Sequence, residues 1–323
     1  MRRSTRWCWA RRSPVSLPTA EGRAPVAPPA VNPVVAVCGA VFVYATGPVL
    51  ISASTLGGIA YSFWRMLLAL PLIGVLTWLA GRRGNELRGM LGPLPAVAGL
   101  ALAFNQVLLM VSLKRVTVLD VTLVSSLAPV VTGIAAALLL GERLRRTFWW
   151  WTVIAMAGAG VVVAGSAGRP SGDPFGLGLA FLSMVAFTVF LIVGKMSGGR
   201  PASTPFTFGA TCYGGAAITA YALVARVDVG LPHPRELVLL LGVVIGAGTF
   251  GHVVFLWALQ YLPATFGSVV RLSHPFISGA LAWIFLGQVS TVWHLAGGIL
   301  TIGGVAGAAL SGRSVPPPPP ESV

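Results

Sequence analysis

Apolar residues along this chain come in runs of about 20, the length an α-helix needs to cross the hydrocarbon core of a bilayer. Ten such runs occur, at roughly 34–54, 59–79, 93–113, 118–140, 147–167, 175–194, 205–225, 237–259, 263–287 and 291–311. The pattern predicts an all-α integral membrane protein with ten transmembrane helices. Residues 1–33 and 312–323 lie outside the runs and read as disordered tails, the first basic and the second carrying five consecutive prolines.

Composition agrees with the pattern. Hydrophobic residues make up 55% of the chain and charged ones 9%, against about 25% charged in an ordinary soluble domain. A formal net charge of +14 would suit a nucleic-acid partner if the basic residues formed a folded surface. Instead they flank the apolar runs, so that reading is excluded. Fifteen fall on one side, among them Arg2, Arg3, Arg82, Arg83, Arg143, Arg145 and Arg313. Five fall on the other: Lys114, Arg115, Arg169, Arg226 and Arg235. The positive-inside rule then places both termini in the cytoplasm of a multi-pass protein in the plasma or inner membrane, with the Lys114-Arg115 pair as the local exception. The N-terminal arginines precede no separate short apolar segment, so no cleavable signal peptide is expected.

Sliding the sequence by 146 residues lays 113–142 on 259–288 without a gap. Leu113, Val124, Pro129, Gly133, Ala136, Leu140 and Gly141 meet Leu259, Val270, Pro275, Gly279, Ala282, Leu286 and Gly287. Each half then holds five spans, an odd number, so the second half enters the membrane with opposite orientation. Residues 34–167 and 175–311 are expected to be two inverted five-helix repeats, the architecture on which alternating access is built.

The segment "SSLAPVVTGIAAALLLGERL" (125–144) resembles the "SLxPxxxxLLxxxxLGE" stretch of the EamA-like group in the drug/metabolite transporter superfamily. "FWRMLLALPLIG" (63–74) and "LLMVSLKRVT" (108–117) resemble that group's second helix and third-helix exit. The resemblance covers about residues 34–311. It implies ten helices around a central cavity and secondary transport of small metabolites, with export the usual direction. This sequence departs from the family pattern in having Gln288 opposite Glu142, an arginine at 271, and no tryptophan near Tyr44.

Polar groups at membrane depth mark where a solute would bind, because an arginine near the midplane costs at least ~2.5 kcal/mol without a partner or water. Arg271 falls roughly 12 Å and His252 roughly 10 Å from the cytoplasmic face at the helical rise, with Ser273 and His274 beside them. An outer layer of Arg65, Asn105, Gln106 and Ser125 is related to the first by the 146 offset, which puts Gln106 over His252 and Ser125 over Arg271. Arg65 either snorkels to the interface or pairs with Asp120, near the outer end of the fourth run. Arg271 either binds an acidic group of the solute or is bonded to carbonyls at the Pro275 kink. Pro129 and Pro275, near the middle of their spans, each free a backbone carbonyl one turn earlier, at a packing kink or facing a cavity. Glycine runs such as Gly242, Gly246 and Gly251, or Gly303 and Gly307, allow close helix packing, with a homodimer face as the alternative.

No phosphate-binding loop, HExxH or carboxylate cluster is present, and Cys8, Cys38 and Cys212 form neither a CxxC pair nor an even set. No metal or cofactor is therefore expected, and the ligand is a small molecule. The reading is a secondary transporter of an amino-acid-like or other acidic or zwitterionic metabolite, not an enzyme. Two alternatives remain: a membrane enzyme using His252 or His274 as general base on a lipid-linked substrate, and a non-transporting membrane subunit.

Overall fold

The structure is a computed structural model that describes residues 31–80, 90–140, 144–166, 173–196, 204–258, 261–262 and 270–311. The tails and the basic loop after the second run, with Arg82 and Arg83, lie outside these residues, as do Glu142 and the side chain of His252.

Every apolar run becomes helix. In chain order they are α1 (Pro33–Ala53), α2 (Gly58–Ala80), α3 (Pro93–Leu113), α4 (Val118–Ser125), α5 (Ala128–Leu140), α6 (Arg146–Ser166), α7 (Pro174–Met196), α8 (Thr204–Val224) and α9 (Pro234–Leu241). There follow a π-helical stretch (Gly242–Phe250), α10 (Gly251–Ala258), α11 (His274–Leu286) and α12 (Val292–Ser311). Among the described residues, eight helices are long and apolar enough to cross a membrane, counting α4 with α5 and α9 with the π stretch. α8 has the length but a more polar composition, and α11 is a 13-residue helix following residues outside the description. The chain is a multi-pass membrane protein whose lipid-facing side chains, such as Trp78, Leu138 and Phe285, are exposed.

The two prolines act as helix starters, where mid-helix kinks were expected. The fourth run breaks at Ser126-Leu127, and Pro129 is the second residue of the helix that restarts there. The ninth breaks at Leu272-Ser273, and Pro275 holds the same place in α11. A proline in the first turn loses nothing, because the first amides have no helical partner anyway. Both breaks carry the same turn bond, Leu127 N–H to Val124 O at 3.1 Å and Ser273 N–H to Val270 O at 3.1 Å, and the pairs are 146 residues apart.

Small residues set the closest helix contacts. α6 and α12 run antiparallel with Gly158 against Gly297 and Thr301, and Gly304 against Ala155. Gly242, Gly246 and Gly251 face Leu50, Val43 and Tyr44 of α1, so these three serve internal packing. Of the Gly303/Gly307 pair only Gly307 is in contact, with Trp151; Gly303 faces open space.

Candidate functional site

At mid-height, α1, α2, α3 and the break before α11 bring one polar layer together. Pro48 lies inside α1 and has no N–H, so the carbonyl of Tyr44, four residues earlier, loses its helical donor. The His274 ring hydrogen-bonds the Tyr44 backbone there. Beside it, Ser278 Oγ donates to the Ala45 carbonyl at 3.0 Å, so α11 is locked onto the proline-weakened turn of α1. Arg271 lays its guanidinium over the rings of Tyr44 and Phe255, 5.6 and 5.8 Å from their centroids, as cation–π attraction favours. The Tyr44 hydroxyl is within electrostatic range of both Arg271 and Arg65.

Neither arginine has the partner weighed for it from the sequence. Arg65 Nη1 donates to Gln106 Oε1, while Asp120 pairs with His294. The kink carbonyl of Val270 accepts from Ser273 N–H and, at 2.6 Å, from Ser273 Oγ, which leaves the Arg271 guanidinium with no hydrogen bond to a described residue. Asn105 belongs to the packing: its Nδ2 donates to Ser183 O and Oγ at 3.0 and 3.1 Å, joining α3 to α7. Ser125 ends α4, partly buried. Tyr61, one turn before Arg65, was not singled out from the sequence. It is fully buried, and its hydroxyl has no hydrogen-bond partner among the described residues, a condition rare enough to mark a place where something polar can arrive.

A second polar layer closes the end opposite the described termini. Glu236, in the first turn of α9, accepts from Ser54 Oγ at 2.5 Å, and from Thr55 N–H and Oγ1 at 3.0 and 2.9 Å. Gln288 Oε1 accepts from Val118 N–H at 2.9 Å, and Arg115 pairs with Asp173 at 3.0 Å. Lys114 Nζ donates to the Ile51 and Ser54 carbonyls at the C-terminal end of α1, where a cation meets the negative end of the helix dipole. The Lys114-Arg115 exception to the charge rule is thereby used up in fixing this end.

Burial pushes the Lys114 ammonium down to about 8, with Glu236 opposing the shift. The folded chain then binds fewer protons than the unfolded one between about pH 8 and the ordinary 10.5, so this group's contribution to stability rises with pH across that window. Melting curves in detergent between these limits should show that rise, and Lys114→Met should remove it. An unchanged pH slope in the variant would mean the ammonium is not desolvated as described.

The model of the EamA-like transporter family matches residues 32–164 and 174–310, and no curated protein matches the chain. Among solved structures, one crystal structure of a protein superposes with a TM-score of 0.59 at 20% identity, covering 87% of this chain and 97% of that one. At that identity the likeness shows a shared fold.

Proposed function

Since the chain belongs to the EamA-like transporter family and is a membrane transporter of the drug/metabolite superfamily, we propose that it is a secondary transporter of a small acidic or zwitterionic organic solute. It works by alternating access, in the export direction, through ten helices arranged as inverted repeats over 34–167 and 175–311, with both termini cytoplasmic. The observation that carries the substrate class is the charge of the central layer. Arg65 and Arg271 flank Tyr44 there, and the described carboxylates Asp120 and Glu236 are held at the closed end. A cation would find two guanidiniums and no acid to replace its hydration, whereas a carboxylate can take a bidentate pair from Arg271. The Tyr61 hydroxyl, Ser273 and His274 stand ready to orient the remainder of the solute.

Flux into proteoliposomes containing only this chain tests the reading with three probes: labelled glutamate, labelled leucine and tetraphenylphosphonium. Uptake of the acidic or zwitterionic probe that saturates, with the phosphonium excluded, is expected. Saturable uptake of the phosphonium alone would overturn the substrate class, and a reporter fused after Arg313 that is active only outside the cell would overturn the orientation.

A further inference from the structure

The central layer makes no use of Asp120 and His294, yet they form the most deeply buried ionic contact described: His294 Nε2 lies 2.9 Å from Asp120 Oδ1, with the side chains 4% and 1% exposed. Each is the third residue of a helix begun by threonine. Thr117 Oγ1 accepts the Asp120 N–H at 3.2 Å and donates to Asp120 Oδ2 at 2.7 Å. His294 Nδ1 accepts the Thr291 N–H at 3.1 Å and lies 2.6 Å from Thr291 Oγ1. Two capping boxes thus face each other across the matched halves of the chain, one at the head of α4 and the other at the head of α12.

This wiring fixes the protonation chemistry. Since Nδ1 accepts a backbone N–H, the imidazole proton sits on Nε2 and is donated to the carboxylate, leaving the pair with one net negative charge. Burying an uncompensated charge is costly, while an imidazolium–carboxylate pair is neutral as a unit. The site therefore favours one added proton, which belongs to the pair as a whole. Protonation at Nδ1 requires the Thr291 hydroxyl to turn and accept. A narrow cleft bordered by Thr117, Gln288, Ser290 and His294 reaches the imidazole from the closed end. The other ionisable side chains that packed elements bring to this end, among the described residues, are the Arg115–Asp173 pair, Lys114, and Arg235 with Glu236.

We propose that Asp120 and His294 form the proton-binding site of this transporter, loaded while the outer end is shut and emptied when that end opens. The proposal rests on the reading of the chain as a secondary transporter. Opening separates α4 from α12 and hydrates both groups, so the pair's extra proton leaves to the outside. By linkage the state that binds the proton more tightly, here the closed one, is favoured as pH falls. The same bond is both a latch between the repeats and the place where a proton gradient acts.

The test needs no substrate. Full-length protein with Cys8, Cys38 and Cys212 replaced by serine is spin-labelled at Gly57→Cys and Val289→Cys and placed in lipid nanodiscs. A Cβ at Gly57 meets nothing within 4 Å, and Val289 is 70% exposed, so both labels sit free on the closed end. The interlabel distance is expected to lengthen between about pH 5.5 and about pH 8.5, the range in which histidine titrates. Asp120→Asn and His294→Gln, each checked for monodisperse protein, should lose that shift. A distance that does not respond to pH in the parent, or a shift that survives in both variants, would overturn the proposal. Failure of all three flux probes alongside a pair-dependent shift would count against the substrate class and leave the proton site standing.

Discussion

Arg271→Gln should nearly abolish saturable uptake of the acidic probe while leaving folded, monodisperse protein, and Arg271→Lys should retain only part of it. The guanidinium is stacked on Tyr44 and Phe255 and holds up no described backbone carbonyl, since Ser273 occupies the Val270 carbonyl. Its removal therefore costs little to the fold. Hydrogen bonds to charged groups contribute about 1.5–3 kcal/mol, so losing the carboxylate partner should lower transport at limiting substrate by roughly ten- to a hundredfold. Lysine keeps the charge, but it has neither the planar fork nor the flat face that rests on the rings. If both variants transport at the parent rate and apparent affinity, Arg271 does not bind the solute. If both are lost to aggregation, its role is structural. Measuring flux and monodispersity on the same preparations separates these outcomes.

Gly304→Val should deplete folded protein, whereas Gly303→Ala, one residue away, should be neutral. A Cβ on Gly304 would stand 2.7 Å from the Ala155 Cα and 2.8 Å from its Cβ. These are backbone or backbone-proximal atoms of a packed helix and cannot swing aside as the tip of a long side chain can. Gly303 has nothing within 4 Å. Overpacking of a core commonly costs about 1–3 kcal/mol, and here α12 would have to separate from α6 along much of their shared length. Without a hydrophobic drive between helices in lipid, close packing is a main source of their association. The comparison is read as the monodisperse fraction after detergent extraction and as the melting temperature. Equal values for the two variants would show that the α6–α12 seam does not need its glycines.

The sequence alone determined the fold class, because helix length and apolarity are local properties that a bilayer enforces directly. It also located both chain breaks to within a few residues, since a proline acts on its own turn wherever it sits, and it paired them through the 146-residue offset. Family membership was legible in 125–144 for the same reason. The partners of the polar groups were decided only by the tertiary structure. Asp120 was within reach of Arg65 by height, yet it meets His294, while Arg65 takes Gln106 and Asn105 takes Ser183. Height along a helix follows from counting residues; azimuth does not, because a membrane helix is apolar on its lipid face and on its packed face alike, so hydrophobic periodicity cannot say which way a polar group points. The π-helical stretch at Gly242–Phe250 has no counterpart in α3, the helix its offset predicts. Four glycines within it and just after it (Gly242, Gly246, Gly248 and Gly251) weaken the α-helical preference, but packing against α1 decides that the ladder widens there. Pro48 shows both sides of the division: the residue announces a freed carbonyl, and only the assembled bundle supplies the His274 that answers it.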